Sequence, residues 1–174
     1  MVFIYHTAAS FFWHHPHGWR VGTPRAPRTM RLVRLPDDLS GGWHARVADV
    51  MRAAFHASAT PRAAPPRKRW WGALDDEARL VAAANLEEGV LWDLSVLPTH
   101  QGHGFGTALL AHIVRRWRGD VRVFVDRPKL IGWYAQRGFV HDDEDAVAWP
   151  THAIACLVRR NAAQESRALR QTHP

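Results

Sequence analysis

Between residues 89 and 117 an apolar run, a proline, three alternating glycines and an amphipathic stripe follow one another, and few folds accommodate that order. Gly89 to Leu97 reads as a strand that Pro98 ends. Phe105, Leu109, Leu110, Ile113, Val114 and Trp117 recur at helical spacing, with Thr107, Arg115, Arg116 and Arg118 off the stripe. Gly102, Gly104 and Gly106 lie between the two elements. Without Cβ atoms the loop backbone can approach a ligand closely, and the first N–H groups of the following helix point toward it. The positive end of the helix dipole adds to this, so the turn is predicted to be an anion site.

The spacing separates this loop from better-known phosphate loops. A dinucleotide fingerprint needs G-x-G-x-x-G early in a βαβ unit, whereas here the glycines fall as G-x-G-x-G after several antiparallel-type strands. No Gly-Lys-Ser or Gly-Lys-Thr follows, which excludes a Walker loop. The bland alternative is a surface turn with chance glycines, and the apolar strand and amphipathic helix on either side weigh against it.

The rest of the chain supplies the sheet around this unit. Arg31 to Leu35 alternates as a first strand, and Trp43, Val47, Val50, Met51, Ala54 and Phe55 mark an amphipathic helix. Trp70 to Leu74, Arg79 to Leu86 and Gly89 to Leu97 read as an antiparallel meander. After the central helix come a strand at Val121 to Val125, a short helix at Leu130 to Arg137, and strands at Phe139-Val140 and Ala153 to Val158. The order predicts a mixed α/β (α+β) fold, not a doubly wound one. Residues 1–29 show no period and read as a disordered extension, 30–160 as one domain, 161–174 as a tail, and the Pro-rich stretch 57–69 as a mobile loop.

Composition narrows the class further. With 174 residues, 47% hydrophobic and 22% charged, and no apolar run of membrane-spanning length, the chain reads as a soluble protein. One cysteine, Cys156, allows no internal disulfide, suits the cytoplasm, and reads as buried filler in the last strand. The net charge of +7 suits an anionic partner, whether nucleic acid, a membrane surface or a phosphate-rich cofactor. The histidines at 14, 15 and 17 lack partner ligands at a recognisable spacing, so no metal is expected.

Gln101-x-x-Gly104-x-Gly106, preceded by Val96-Leu97-Pro98, resembles the acyl-CoA loop of the GNAT acetyltransferases, and Trp133-Tyr134-Ala135-Gln136-Arg137-Gly138-Phe139 resembles that family's aromatic-Tyr-x-x-x-Gly-Phe segment. More narrowly, Leu91-Trp92-Asp93, Phe124-Val125-Asp126 and Trp149-Pro150 with these motifs resemble the plastid and cyanobacterial enzymes that acetylate arylalkylamines such as serotonin and protein lysines. Asp126 stands where the superfamily often has Asn, and the stretch 57–69 matches no part of the pattern. The resemblance implies a central mixed, mostly antiparallel sheet flanked by helices. It also implies an acetyl-CoA-dependent N-acetyltransferase working by direct attack of a primary amine on the thioester. It assigns Gln101, Gly102, His103, Gly104, Phe105, Gly106 and Thr107 to the cofactor, and makes Tyr134 the general acid for the departing thiolate.

Asp93 lies in an otherwise apolar run, where desolvation would make it a better base; the alternative is a carboxylate paired with an arginine. His141 and Glu88 are weaker candidates. A strand N–H, of Leu94 or Val96, would meet the developing oxyanion. Trp70, Trp71 and Trp92 could line an aromatic-amine pocket or belong to the core. The acceptor is expected to be a small-molecule amine or a protein lysine, with no membrane partner, and a homodimer is compatible with the chain. A non-catalytic acyl-CoA sensor is the rival; a basic RNA-binding module is disfavoured by the absence of interleaved aromatic and basic residues. Because residues 1–29 show no periodic apolar face, a chain starting at Met30 should match the full chain in melting temperature and cofactor affinity. A loss of several degrees would show that the extension docks on the domain.

Overall fold

A computed structural model describes residues 30–55, 68–142 and 153–161. The expectations for residues 1–29, for the stretch 57–67, for Trp149-Pro150 and for the tail beyond Asn161 lie outside the described residues. Among the described residues eight strands form one sheet: β1 (Arg31–Arg34), β2 (Lys68–Leu74), β3 (Leu80–Glu87), β4 (Val90–Leu91), β5 (Ser95–Val96), β6 (Val121–Val125), β7 (Val140–His141) and β8 (Ala155–Arg159). Three helices of these residues flank it: α1 (Trp43–Ala54), α2 (Phe105–Arg116) and α3 (Pro128–Ala135). The sheet order is β1-β2-β3-β4-β6-β8-β7, with β5 paired to β3 alone. Every pairing is antiparallel except that of β4 with β6. The expected mixed α/β fold with a mostly antiparallel sheet is therefore what forms. Lys68 and Arg69, expected in the loop, instead begin β2, opposite Glu87 and Leu86.

Alternation along β2 divides the core between the two faces of the sheet. Trp70 and Leu74 pack with Val47, Val50 and Met51 of α1. Trp71 and Ala73 face the other way, with Phe105, Leu109, Leu110 and Ile113 of α2 and Leu130 and Tyr134 of α3. Each such side chain taken fully out of water contributes about 1.5–3 kcal/mol. Trp70 is fully buried and Trp71 nearly so, so both are core residues rather than walls of an open pocket.

The third apolar run is not the continuous strand its sequence suggests. Leu91 pairs with Leu86 and the Trp92 N–H donates to the Asn85 carbonyl at 2.8 Å, yet Ser95 pairs with Ala83. Asp93 and Leu94 together therefore face Ala84, two residues against one, which is a β-bulge. The bulge breaks the run into β4 and β5. Leu91 still pairs with Val123 of β6, but β5 has no register with β6, so the sheet splits at this point.

β3 and β4 are joined by Glu88 and Gly89, with φ of 49° and 85°. Positive φ at both central positions is the geometry of a type I′ hairpin turn, whose twist matches that of the flanking strands. A Cβ on Gly89 would sit 2.9 Å from the Asp120 carbonyl oxygen, a backbone atom that cannot step aside cheaply. Gly89→Ala is expected to cost about 1–3 kcal/mol of stability through strain and this clash. Urea denaturation should read it as a lower midpoint with an unchanged slope.

Candidate functional site

The split in the sheet opens into a cleft of about 1110 Å³. β5 contributes Val96, the glycine loop and first turn of α2 form one side, and α3 forms the other. Leu97 donates its N–H to the Val81 carbonyl at 2.9 Å, and in an antiparallel pair the bonding edge alternates, so the N–H and C=O of Val96 turn away from β3. The Gln101 Nε2 amide donates to the Val96 carbonyl at 3.1 Å. Gln101 thus occupies the acceptor and leaves the Val96 N–H as the donor that β5 turns away from β3.

Gly104 is the N-cap of α2, with φ of 85°, and Gly102 has φ of 76°. A Cβ at either would meet nothing within 4 Å, so backbone conformation rather than crowding favours glycine there. At Gly106 the reason is space: a Cβ would lie 3.2 Å from Val96 Cγ2. The first intrahelical bond runs from the Ala108 N–H to the Gly104 carbonyl, so the N–H groups of Phe105, Gly106 and Thr107 precede it. No side chain caps this end, and the first turn holds no acidic residue. Arg127, Lys129 and Arg137 line the same cleft, and no carboxylate of the described residues does. Uncapped amides, a helix dipole and three cations around one space are the chemistry that binds a phosphate-bearing ligand.

The loop is tied to the sheet from below. His100 closes the short 3₁₀ turn Pro98–His100. Its buried ring meets Phe105 edge-on at 5.5 Å, and its Nε2 lies 3.7 Å from Asp75 Oδ2. Asp75 itself accepts hydrogen bonds from the Arg79 N–H at 2.9 Å, the Arg79 Nε at 2.9 Å and the Glu77 N–H at 3.1 Å. Burial pushes its carboxyl up, but the bonds and charge of Arg79 outweigh this and hold it below the usual carboxylate range.

Of the residues singled out in the sequence, Val96, Gln101, Gly102, Gly104, Phe105, Gly106 and Thr107 line the cleft. His103 is exposed, with its Nδ1 2.9 Å from the Gln101 carbonyl, and neither it nor Leu94 is in the lining. Asp93 sits half-buried in the bulge rather than within a strand; the Asn85 amide reaches its Oδ2 at 3.5 Å. His141 is exposed on the edge strand β7, and Glu88 occupies the hairpin turn. Cys156 is buried in β8, and burial, followed by the charge of Asp142, pushes its thiol up to about 11 against the pull of Arg122.

Tyr134 is fully buried on α3, edge-on to Trp133 at 4.9 Å and to Phe139 at 5.2 Å. Its hydroxyl has no hydrogen-bond partner among the described residues, nor do Asp126 Oδ1 and Arg137 Nε. Burial, and to a lesser degree Asp126, pushes the phenol above its ordinary range, while Arg137 pulls the other way. A phenol held this way stays protonated throughout the physiological range. Tyr134 itself does not line the cleft, although its chain neighbour Trp133 does, and its buried hydroxyl is left without a partner.

Arg127 and Lys129 join the site from outside the predicted residues, and Trp133 and Arg137 are lining residues as well as motif positions. The Arg-Pro-Lys signal at the start of α3 was visible, but nothing local showed that it would face the glycine loop. No helix of the described residues is long and apolar enough to cross a membrane. Among those residues no group of three or more His, Cys, Asp or Glu could hold a metal ion.

Comparison with known proteins agrees with this geometry. The acetyltransferase (GNAT) domain family model matches residues 66–141. A comparison with curated protein sequences gives no match. Among solved structures, a GNAT-family acetyltransferase from Staphylococcus aureus Mu50 is similar, with a TM-score of 0.58 at 11% identity over 76% of this chain and 99% of that one. A spermidine/spermine N-acetyltransferase from Vibrio cholerae has a TM-score of 0.56 at 15% identity, over 80% of this chain and 96% of its own. The ribosomal-protein-S18-alanine N-acetyltransferase from Escherichia coli has a TM-score of 0.56 at 14% identity, over 75% and 91%. The chain therefore has the fold of the GNAT N-acetyltransferases, and its residues 66–141 carry the sequence pattern of their domain.

Proposed function

We propose that the chain is an acetyl-CoA-dependent N-acetyltransferase acting on a primary amine. The observation that carries this is the uncapped, acid-free N-terminus of α2 facing three cations across a cleft whose inner edge is the Val96 backbone. The loop amides and the Arg127 and Lys129 cations would hold the pyrophosphate, with the charge of Arg137 beside them, and the Val96 N–H would meet the thioester oxygen as charge develops on it. Leu94 fits that last role less well, since it stands in the bulge and outside the cleft lining.

In the reaction the amine lone pair attacks the thioester carbonyl carbon. A C–N bond forms, the C–S bond breaks, the amine nitrogen gives up one proton, and the CoA thiolate takes one. An alkylammonium has no lone pair, so it must first lose one further proton to a base. Asp93, half-buried in the bulge beside the split, is the proposed acceptor of that proton, directly or through water. Tyr134 is the proposed donor to the thiolate.

The acceptor is a small-molecule amine or a protein amine. The structural neighbours are named for spermidine and for a ribosomal protein's alanine, which favours amines in general. The arylalkylamine reading rests on Trp92, half-buried next to Asp93 with its ring tilted 5.7 Å from Phe124, now that Trp70 and Trp71 belong to the core. Thiol release measured over aromatic amines, polyamines and lysine peptides tests the assignment. Binding of CoA without turnover on any acceptor would make the chain a sensor.

Gly104→Asp should abolish CoA binding in calorimetry while the protein stays folded. Aspartate is among the side chains that tolerate positive φ, and the Cβ meets open space, but its charge falls where the pyrophosphate must sit. Unchanged affinity would remove the loop from the site.

Tyr134→Phe keeps the ring and its two aromatic contacts and removes only the hydroxyl. With an unpartnered hydroxyl gone, stability should hold or rise. The expected loss in kcat is about 10²- to 10⁴-fold with little change in KM for acetyl-CoA, read in single-turnover experiments. Wild-type kcat in that variant would leave Tyr134 a packing residue.

A further inference from the structure

We propose that Arg137 is a positioning residue: it straps the C-terminal end of α3 to the first turn of α2, and so fixes the width of the cleft and the seat of the phosphate-binding amides. Only the identity of the occupant rests on the acetyl-CoA reading; the strap itself does not.

The need for a strap follows from the split sheet. α2 packs on β2, β3 and β5, whereas α3 packs on β6 and β8. β5 and β6 share no hydrogen bonds, so the ladder that would keep these two halves in register ends at Leu91. The two walls of the cleft stand on different halves. A contact that bridges them above the split decides how far apart they stand.

Arg137 makes that bridge. Its Nη2 donates to Thr107 Oγ1 at 2.8 Å, in the first turn of α2, and its Nη1 donates to the Trp133 carbonyl at 2.6 Å, near the end of α3. The guanidinium lies over the Trp133 ring, 3.8 Å from its centroid. The root of the arm is fixed as well. The Arg137 N–H donates to the Tyr134 carbonyl at 2.8 Å, and the Arg137 carbonyl accepts from Arg159 Nη1 of β8 at 3.1 Å. A planar fork can serve two acceptors in different directions while stacked on a ring. A lysine, with one ammonium on a flexible stem, cannot. Because Thr107 also carries one of the uncapped N–H groups, moving its side chain moves part of the anion site.

The test compares wild type with Arg137→Ala, Arg137→Lys and Thr107→Val. In the ligand-free proteins, hydrogen exchange should quicken at residues 105–110 and 130–137 in all three variants and stay unchanged on β2 and β3. CoA affinity by calorimetry should fall about 10- to 100-fold in both Arg137 variants, the scale of one charge-assisted hydrogen bond. Thr107→Val should also weaken CoA, although every charge and backbone N–H remains, and Thr107→Val on top of Arg137→Ala should add little. Wild-type affinity in Arg137→Lys together with an unaffected Thr107→Val would mean that Arg137 contributes charge alone, and would overturn the strap. Unchanged exchange in all variants would overturn it too. If wild type bound no CoA, the cofactor reading would fall, and the exchange data alone would still decide whether the strap exists.

Discussion

A hydrogen-bond ladder that loses step at Asp93 and Leu94 cannot go on pairing along both of its edges. Up to Leu91 the central strand holds β3 on one side and β6 on the other; beyond the bulge, β5 follows β3 alone. The backbone of Val96 is left facing a space instead of a neighbouring strand. Such an opening inside a sheet would ordinarily be a defect, since exposed ladder groups lose their partners. Here Gln101 takes the Val96 carbonyl, and the remaining N–H is the donor that the proposed chemistry needs.

The charge distribution follows from the same opening. The chain turns from β5 through the 3₁₀ turn into α2, so the N-terminus of that helix borders the gap. Most helix starts are satisfied by a side-chain cap or an acidic first turn. α2 has neither, and nor have α1 and α3; what sets the start of α2 apart is the cleft it lines, into which cations come from α3. The site is built to be completed by an anion. The charge of +7 therefore has one local focus, although arginines elsewhere on the surface contribute to the total.

Burial sets the character of the groups beneath the cleft. Tyr134 and Cys156 both lose access to water, and both titrations move up; neither lines the cleft. Trp70 and Trp71, adjacent in sequence, face opposite sides of the sheet and serve two different cores.

Periodicity and spacing were enough to read the elements. The stripe from Phe105 to Ile113 is a helix because side chains three and four apart share a face, and the alternating glycines mark the turn because positive φ and close approach are local demands. The order of strands and helices, and most of the lining on the loop side, were legible for that reason. The run from Gly89 to Leu97 was misread as one strand, because a bulge is a mismatch of register with β3 and has no signature in the run itself. The meeting of Arg137 with Thr107, 30 residues apart in sequence, was equally invisible, as was the turning of Arg127 and Lys129 toward the loop. Local sequence determines which way each backbone segment bends and which face it buries; only the packing of the two sheet halves decides which distant side chains share a cleft.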